Sequence, residues 1–216
     1  MHVLCAVQKH HCSGPLRQLR PIMVWMRVGS SVLDAELAFT VVKGVSSVKG
    51  SVTGVRLRGS KTRKDYEGTI LADRITGNKK NNSILGLNDA DRLYGKKGRD
   101  IIDAGAGDDY IVGGFGGDIL RGREGADVFS YKSWKDSKAG KARNLDAIVD
   151  FEIDDRIDLS RLKPRLTYVG ESSFTGQAGE LRFAQSVLGA DMNGDKVADF
   201  LIGINSPSLV ETQLIL

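Results

Sequence analysis

The sequence predicts an all-β fold: a parallel β-roll built from nine-residue turns, followed by a β-rich C-terminal region. Three observations predict it. Glycine supplies 26 of the 216 residues and proline only 4, an excess of the residue that accepts tight turns, without the composition of collagen or a Pro-rich linker. A nine-residue period runs without a gap from Gly68 to Ser130. Beyond it, the runs IVDF, IDLS, LTYV, ELRFA and DFLIGI lie between Gly, Asp and Ser residues, which is the pattern of short strands. With 41% apolar residues the chain can bury a core.

Cut every nine residues from Gly68, the frames read GTILADRIT, GNKKNNSIL, GLNDADRLY, GKKGRDIID, AGAGDDYIV, GGFGGDILR and GREGADVFS. Position one is glycine in six of the seven frames and position six is aspartate in six. Position eight is apolar in all: Ile75, Ile84, Leu93, Ile102, Ile111, Leu120 and Phe129. A glycine-rich hexapeptide turns sharply with its carbonyls inward, because glycine accepts positive φ and close backbone approach. The next three residues then form a very short strand with the position-eight side chain pointing inside. Two nonapeptides complete one revolution, so residues 68–130 form a roll of about three and a half revolutions. Gly50 with Leu57, and Gly59 with Tyr66, continue the phase upstream without an aspartate. Residues 50–67 are therefore read as degenerate turns or a cap.

Such short strands bury too little apolar surface to offset the ordering of so much glycine. Stacking sets each frame beside the next but one, so Asp91 faces Asp109, Asp109 faces Asp127, and Asp100 faces Asp118. Like charges at that spacing repel unless a cation lies between them. Carboxylates with backbone carbonyls, and no His or Cys, make a hard all-oxygen site that selects Ca²⁺. The last four frames resemble the RTX calcium-binding repeat, GGxGxDxUx. The resemblance implies several calcium ions, with Asp91, Gly95, Gly98, Asp100, Gly105, Gly107, Asp109, Gly113, Gly114, Gly116, Asp118, Gly122, Gly125 and Asp127 as site residues. Three further candidates lie in frames that depart from the pattern. Frame three has Asp89 where the turn glycine belongs, frame two has Asn82 in place of the aspartate, and frame one keeps Asp73 but lacks the turn glycine. Calcium is expected on the C-terminal frames.

From Ala126 onward the segments ADVFSYKSWKDS, DAIVDFEIDDRIDLSRL, FTGQAGELRFA and ADMNGDKVADFLIGI resemble the C-terminal domain of serralysin-type secreted metalloproteases. With the repeats, the resemblance covers about residues 68–216. It implies a serralysin-like C-terminal β-sandwich region over residues 131–216, and in the last residues, SLVETQLIL, an uncleaved signal for type I secretion. Asp191, Asn193, Asp195 and Asp199 have the odd-position spacing of a calcium loop. Lys196 replaces its sixth-position glycine, and Ile202 stands where a closing glutamate would be. An Asx-rich hairpin is the alternative reading. Asp146 and Asp150 are read as turn and cap residues, with a ligand role as the alternative.

The chain contains no HExxH, and its histidines are His2, His10 and His11. Residues 1–67 are too few for a protease domain, and no GxSxG elbow, P-loop or dinucleotide fingerprint is present. No catalytic site is therefore expected. Cys5 and Cys12 leave residues 13–216 without a disulfide or thiolate site. Residues 1–67 hold 11 Lys and Arg against 4 Asp and Glu, while residues 68–216 hold 20 against 23. Residues 1–49 are read as a basic, poorly ordered head. Its charges form no regular stripe and lack interleaved aromatics, so no nucleic-acid partner is expected, and contact with a membrane surface stays open. No apolar run reaches the ~18 residues of a membrane span, and no cleavable N-terminal signal is evident.

The expected function is that of a secreted, extracellular calcium-binding module that folds on meeting Ca²⁺ after type I export. Its expected partners are calcium and the secretion machinery. At ~1 mM Ca²⁺, a site with a Kd of ~10⁻⁴ to 10⁻³ M stabilises the fold by ~0.4 to 1.4 kcal/mol, so several sites reach the scale of marginal stability. Two rival readings are a detached C-terminal part of a metallopeptidase whose HExxH domain is lost or separately encoded, and an RTX protein that binds membranes or host surfaces.

Overall fold

The computed structural model describes residues 65–140 and 144–216, residues 54 and 56–58, and the backbone of four short strands between residues 26 and 52. Those four are β1 (Met26–Val28), β2 (Ser31–Leu33), β3 (Leu37–Thr40) and β4 (Lys49–Val52), paired antiparallel as β1–β2 and β3–β4. The expectations for the rest of the head, including Cys5, Cys12 and the three histidines, lie outside the described residues.

Downstream follow β5 (Arg56–Arg58), β6 (Asp65–Glu67), β7 (Arg74–Thr76), β8 (Ser83–Asn88), β9 (Arg92–Lys97) and β10 (Ile101–Ala106). Then come β11 (Tyr110–Phe115), β12 (Ile119–Glu124), β13 (Val128–Ser130), β14 (Asp146–Ile148) and β15 (Arg156–Asp158). The last five are β16 (Thr167–Tyr168), β17 (Glu180–Ala184), β18 (Val187–Asp191), β19 (Phe200–Ile204) and β20 (Leu214–Ile215). A single 3-10 turn, Glu211–Gln213, precedes β20.

Successive nonapeptides feed two sheets alternately. One sheet runs β6-β8-β10-β12-β14-β19 and ends in β18, β17 and β16; the other runs β5-β7-β9-β11-β13-β15-β20. Within the roll the register is parallel with an 18-residue offset, as in Ile84↔Ile102↔Leu120 and Leu93↔Ile111↔Phe129. The next-but-one stacking read from the sequence is the observed one. Every position-eight side chain from Ile75 to Phe129 is buried, forming the apolar core of the roll. Leu57 and Tyr66 are buried too, and their strands pair with β7 and β8. The degenerate turns thus supply the first strand of each sheet.

Strand length differs from the expectation. In the central frames the strands run six residues rather than three, continuing through positions one to three of the next frame. Gly86 shows why. It is buried two residues after Ile84 on the same strand, and a residue without a Cβ faces inward there without displacing the turn stacked against it.

The C-terminal region continues the same two sheets. Ile148 of β14 registers with Leu120, and Ile157 of β15 with Phe129, at an offset of 28 rather than 18 residues. Ten extra residues after Ser130 are accommodated outside the ladder. β19 then pairs parallel with β14, β20 with β15, and β17-β18-β19 form an antiparallel meander. Tyr131 meets Phe200 edge-on at 5.3 Å where the loop after β13 packs on β19. Among the described residues no helix is long and apolar enough to cross a membrane.

Candidate metal centre

The position-six aspartates form two columns, one along each edge of the roll. In each column the backbone N–H of one residue donates to Oδ1 of the aspartate one revolution ahead. One column runs Asp73 to Asp91 (2.7 Å), Asp91 to Asp109 (2.7 Å), Asp109 to Asp127 (2.9 Å) and Asp127 to Asp155 (3.0 Å). The other runs Asn82 to Asp100 (2.7 Å), Asp100 to Asp118 (2.8 Å) and Asp118 to Asp146 (2.9 Å). One oxygen of each of these carboxylates therefore holds the preceding turn in register. The second oxygen, Oδ2, is buried without a hydrogen-bond partner in Asp91, Asp100, Asp109, Asp118 and Asp127, whereas the Asp146 carboxyl has the Tyr131 hydroxyl beside it. An unsatisfied buried acceptor costs about 1–3 kcal/mol, and more when charged.

The predicted glycines stand around these oxygens in three groups. At position one, a methyl built on Gly95 would collide with Asp100 Oδ2 and lie 2.6 Å from the Gly113 carbonyl. Gly113 and Gly122 abut Asp118 and Asp127 Oδ2 likewise. Gly86, which the sequence reading left out, stands the same way against Asp91. At position two, Gly105 and Gly114 sit on the Leu87 and Lys96 carbonyls. At position four, Gly98, Gly107, Gly116 and Gly125 sit on the carbonyls of residues 80, 89, 98 and 107. Gly116 has φ +146 and its missing Cβ would strike the Gly98 carbonyl, so both space and backbone require glycine there. The turns at Gly86 and Gly95 thus bring one carboxylate oxygen and one stacked backbone carbonyl to the same point. Among the described residues no three His, Cys, Asp or Glu side chains cluster as a metal cage. A cation held here would take most of its ligands from the backbone.

The turns of the first two frames are satisfied internally. The Thr69 N–H donates to Asp73 Oδ2 and the Thr69 hydroxyl to Asp73 Oδ1. The Asn78 N–H donates to Asn82 Oδ1 at 2.8 Å. Asp89 is exposed, and it occupies the position-four glycine place with φ +69. The loop of Asp191, Asn193, Asp195 and Asp199 joins β18 to β19 and is closed by its own backbone. Asp191 accepts the N–H groups of Asn193, Gly194 and Lys196, and Asp199 accepts that of Met192. Desolvation opposes ionisation of Asp191, but these donors together hold its carboxyl below the usual range.

One residue of the ladder, Asp155, carries no expectation from the sequence, and Asp146 is read there as a turn residue with a ligand role as the alternative. Their signal is a resumed phase. KARNLDAIV and DFEIDDRID place Asp146 and Asp155 at position six and Ile148 and Ile157 at position eight, after an interruption and without the glycines. Asp150 is a cap: its oxygens accept the Gly122 and Arg123 N–H groups at 3.1 and 3.2 Å.

Burial pushes the carboxyls of Asp91, Asp100, Asp109, Asp118 and Asp127 up to about 7, against the pull of the backbone donors. Stacked neighbours add to the rise, Asp73 for Asp91 and Asp100 for Asp118. The Asp146 carboxyl is also raised well above its ordinary value, by burial first and by Asp118 second. The ladder is a row of anions in a place that disfavours anions, lined by oxygen alone, and this donor set fits a hard divalent cation.

No curated protein matches the chain. Among solved structures it is similar to two subunits of a mannuronan C5-epimerase of Azotobacter vinelandii. The AlgE6R3 subunit is 24% identical, covering 73% of this chain and 82% of that one, with a TM-score of 0.28. The AlgE6R2 subunit is 26% identical, covering 74% and 91%, with a TM-score of 0.40. The aspartate ladder from Asn82 to Asp155, and the strands that continue its sheets to Ile215, fall within residues 74–216, which match the family described as Peptidase M10 serralysin C terminal, and the chain belongs to that family.

Proposed function

We propose that this chain is a secreted calcium-binding module that folds on reaching extracellular Ca²⁺ and has no catalytic site of its own. The observation that carries the reading is the file of buried carboxylate oxygens without partners in Asp91, Asp100, Asp109, Asp118 and Asp127, those of Asp91 and Asp100 meeting a stacked backbone carbonyl at one glycine position. Asp91, Asp100, Asp109, Asp118 and Asp127 would hold the ions through Oδ2, with backbone oxygens of the glycine turns completing the sites. Bound calcium would supply the positive charge that these carboxylates lack. In a cytosol at submicromolar Ca²⁺, the ionised aspartates oppose stacking and the chain stays unfolded, as export by a type I machinery requires. Outside, at ~1 mM, each occupied site adds to the stability of the roll.

A calcium titration followed by far-UV circular dichroism, with magnesium as control, tests this. A coil-to-β transition between about 0.1 and a few mM Ca²⁺, absent with Mg²⁺, is the expected outcome; equal folding in chelator and in calcium would refute the proposal. The family match favours a second reading, that the module serves a metallopeptidase whose HExxH domain is encoded elsewhere. Casein hydrolysis by this chain alone would contradict both.

A further inference from the structure

The outer face of the seven-stranded sheet carries a cleft that the calcium ladder does not use. It measures about 420 Å³ and lies over β9 and β11, with residues 132–136 as one wall. Its floor is Tyr94, Val112 and Phe115, and its lining is mainly apolar. Phe115 is 44% exposed, a large ring left open on a strand face. Four lysines converge on the rim: Lys79, Lys96, Lys97 and Lys132.

None of the four makes an ion pair among the described residues. Two lie instead against the floor, Lys97 Nζ at 5.5 Å from the Phe115 ring centre and Lys132 Nζ at 5.1 Å from that of Tyr94. Arg74 covers Tyr94 as well, at 4.7 Å. The lining carboxylate, Asp136, is buried and committed: its Oδ2 accepts the backbone N–H groups of Lys132 and Ser133. Four like charges around one apolar floor, with no free anion among them, leave the cleft short of negative charge. Its volume lies within the range of small-molecule sites.

We propose that this cleft binds a small organic anion with an aromatic body, the ring lying on Tyr94 and Phe115 and the carboxylate or phosphate meeting the lysine rim. Stacking on the two rings supplies contact area, and the rim selects the charge. A neutral analogue keeps the first and loses the second.

The full chain, folded in calcium, is titrated by NMR with 2-naphthoate, 2-naphthamide and 2-naphthylmethylamine, and in parallel with vesicles of anionic phospholipid. Naphthoate is expected to bind about tenfold more tightly than the amide, the difference that two exposed ion pairs provide, and the amine not at all. The double variant K97Q/K132Q should lose that tenfold preference while keeping its calcium-induced circular dichroism. Phe115→Ser, at an exposed site, should weaken naphthoate and naphthamide alike. Equal binding of acid and amide, naphthoate binding unchanged in the double variant, or binding to vesicles without binding to naphthoate would each overturn the proposal. Because folding is read separately by circular dichroism, failure of the anion site is distinguishable from failure of the calcium reading.

Discussion

Asp118 shows what each ladder residue does. Its Oδ1 accepts the Asp100 N–H, its own N–H donates to Asp146, and its Oδ2 has no partner. The carboxyls of Asp91, Asp100, Asp109, Asp118 and Asp127 titrate near 7 when folded, against an ordinary 3.8. A raised carboxyl pKa means that the folded state holds its proton more tightly than the unfolded state does. The stabilisation is fully present below the ordinary value and is lost as pH rises through about 7. Metal-free protein should therefore gain β-structure on acidification from pH 8 to pH 5, the reverse of ordinary acid unfolding; circular dichroism in chelator measures this, and a loss of signal would refute it. Near pH 7 calcium binding should release protons into an unbuffered solution. Asn82 supplies a second residue-scale test. It keeps the ladder bond to Asp100 but receives the Asn78 N–H at its own oxygen. Asn82→Asp adds a buried carboxylate, and is expected to raise the calcium stoichiometry by calorimetry while lowering metal-free stability by about 1–2 kcal/mol. These roles were legible in the sequence as a position-six column. The internal satisfaction of Asp73 and Asn82 was not, because Thr69 and Asn78 act through hydrogen bonds that no spacing rule specifies.

At the level of the strand and its turn, the apolar residue of position eight and the glycine of position one share the inward face. Filling the glycine position fills the space beside the unpartnered carboxylate oxygen. Gly95→Ala sets a methyl against Asp100 Oδ2 and the Gly113 carbonyl, one of which is backbone and cannot move alone. The variant is expected to shift the calcium midpoint upward at least tenfold, a loss of about 1.4 kcal/mol or more. Gly203→Ala, whose Cβ meets only the Asp146 carbonyl at 3.7 Å, should leave the midpoint within about twofold. The two are compared by calcium titration of the circular dichroism signal, and equal shifts would refute the cradle. The sequence indicated a three-residue strand because the apolar signal ends after position nine. The observed six residues arise because backbone pairing between revolutions continues wherever glycine allows close approach, and backbone hydrogen bonding leaves no mark in a hydrophobicity pattern.

Across the whole molecule, the terminal strand completes one sheet. β20 pairs with β15, Leu214 is buried, the Leu159 N–H donates to the Ile215 carbonyl at 2.8 Å, and Gln213 Nε2 donates to the Glu152 and Ile153 carbonyls. Deleting residues 211–216 should lower stability in calcium by about 2 kcal/mol through lost burial, read as a lower Tm. An unchanged Tm would mean that the strand is dispensable for the fold. The tail proposed to direct export is thus also part of the folded sheet, and the two roles are compatible if export precedes folding. The sequence by itself determined the period, the two-sheet alternation, the buried position-eight file, the position-six aspartate columns and the family, because each is a local pattern repeated often enough to set its own register. Tertiary structure alone decided how the repeat ends. It loops out ten residues after Ser130 and recruits β19 and β20 from more than fifty residues away. The physical reason is that an open parallel sheet edge needs a partner for its backbone groups. The chain that supplies it is chosen by which distant segment can bury Ile204 and Leu214 against Ile148 and Ile157, a match of shapes across space that no repeat in the sequence encodes.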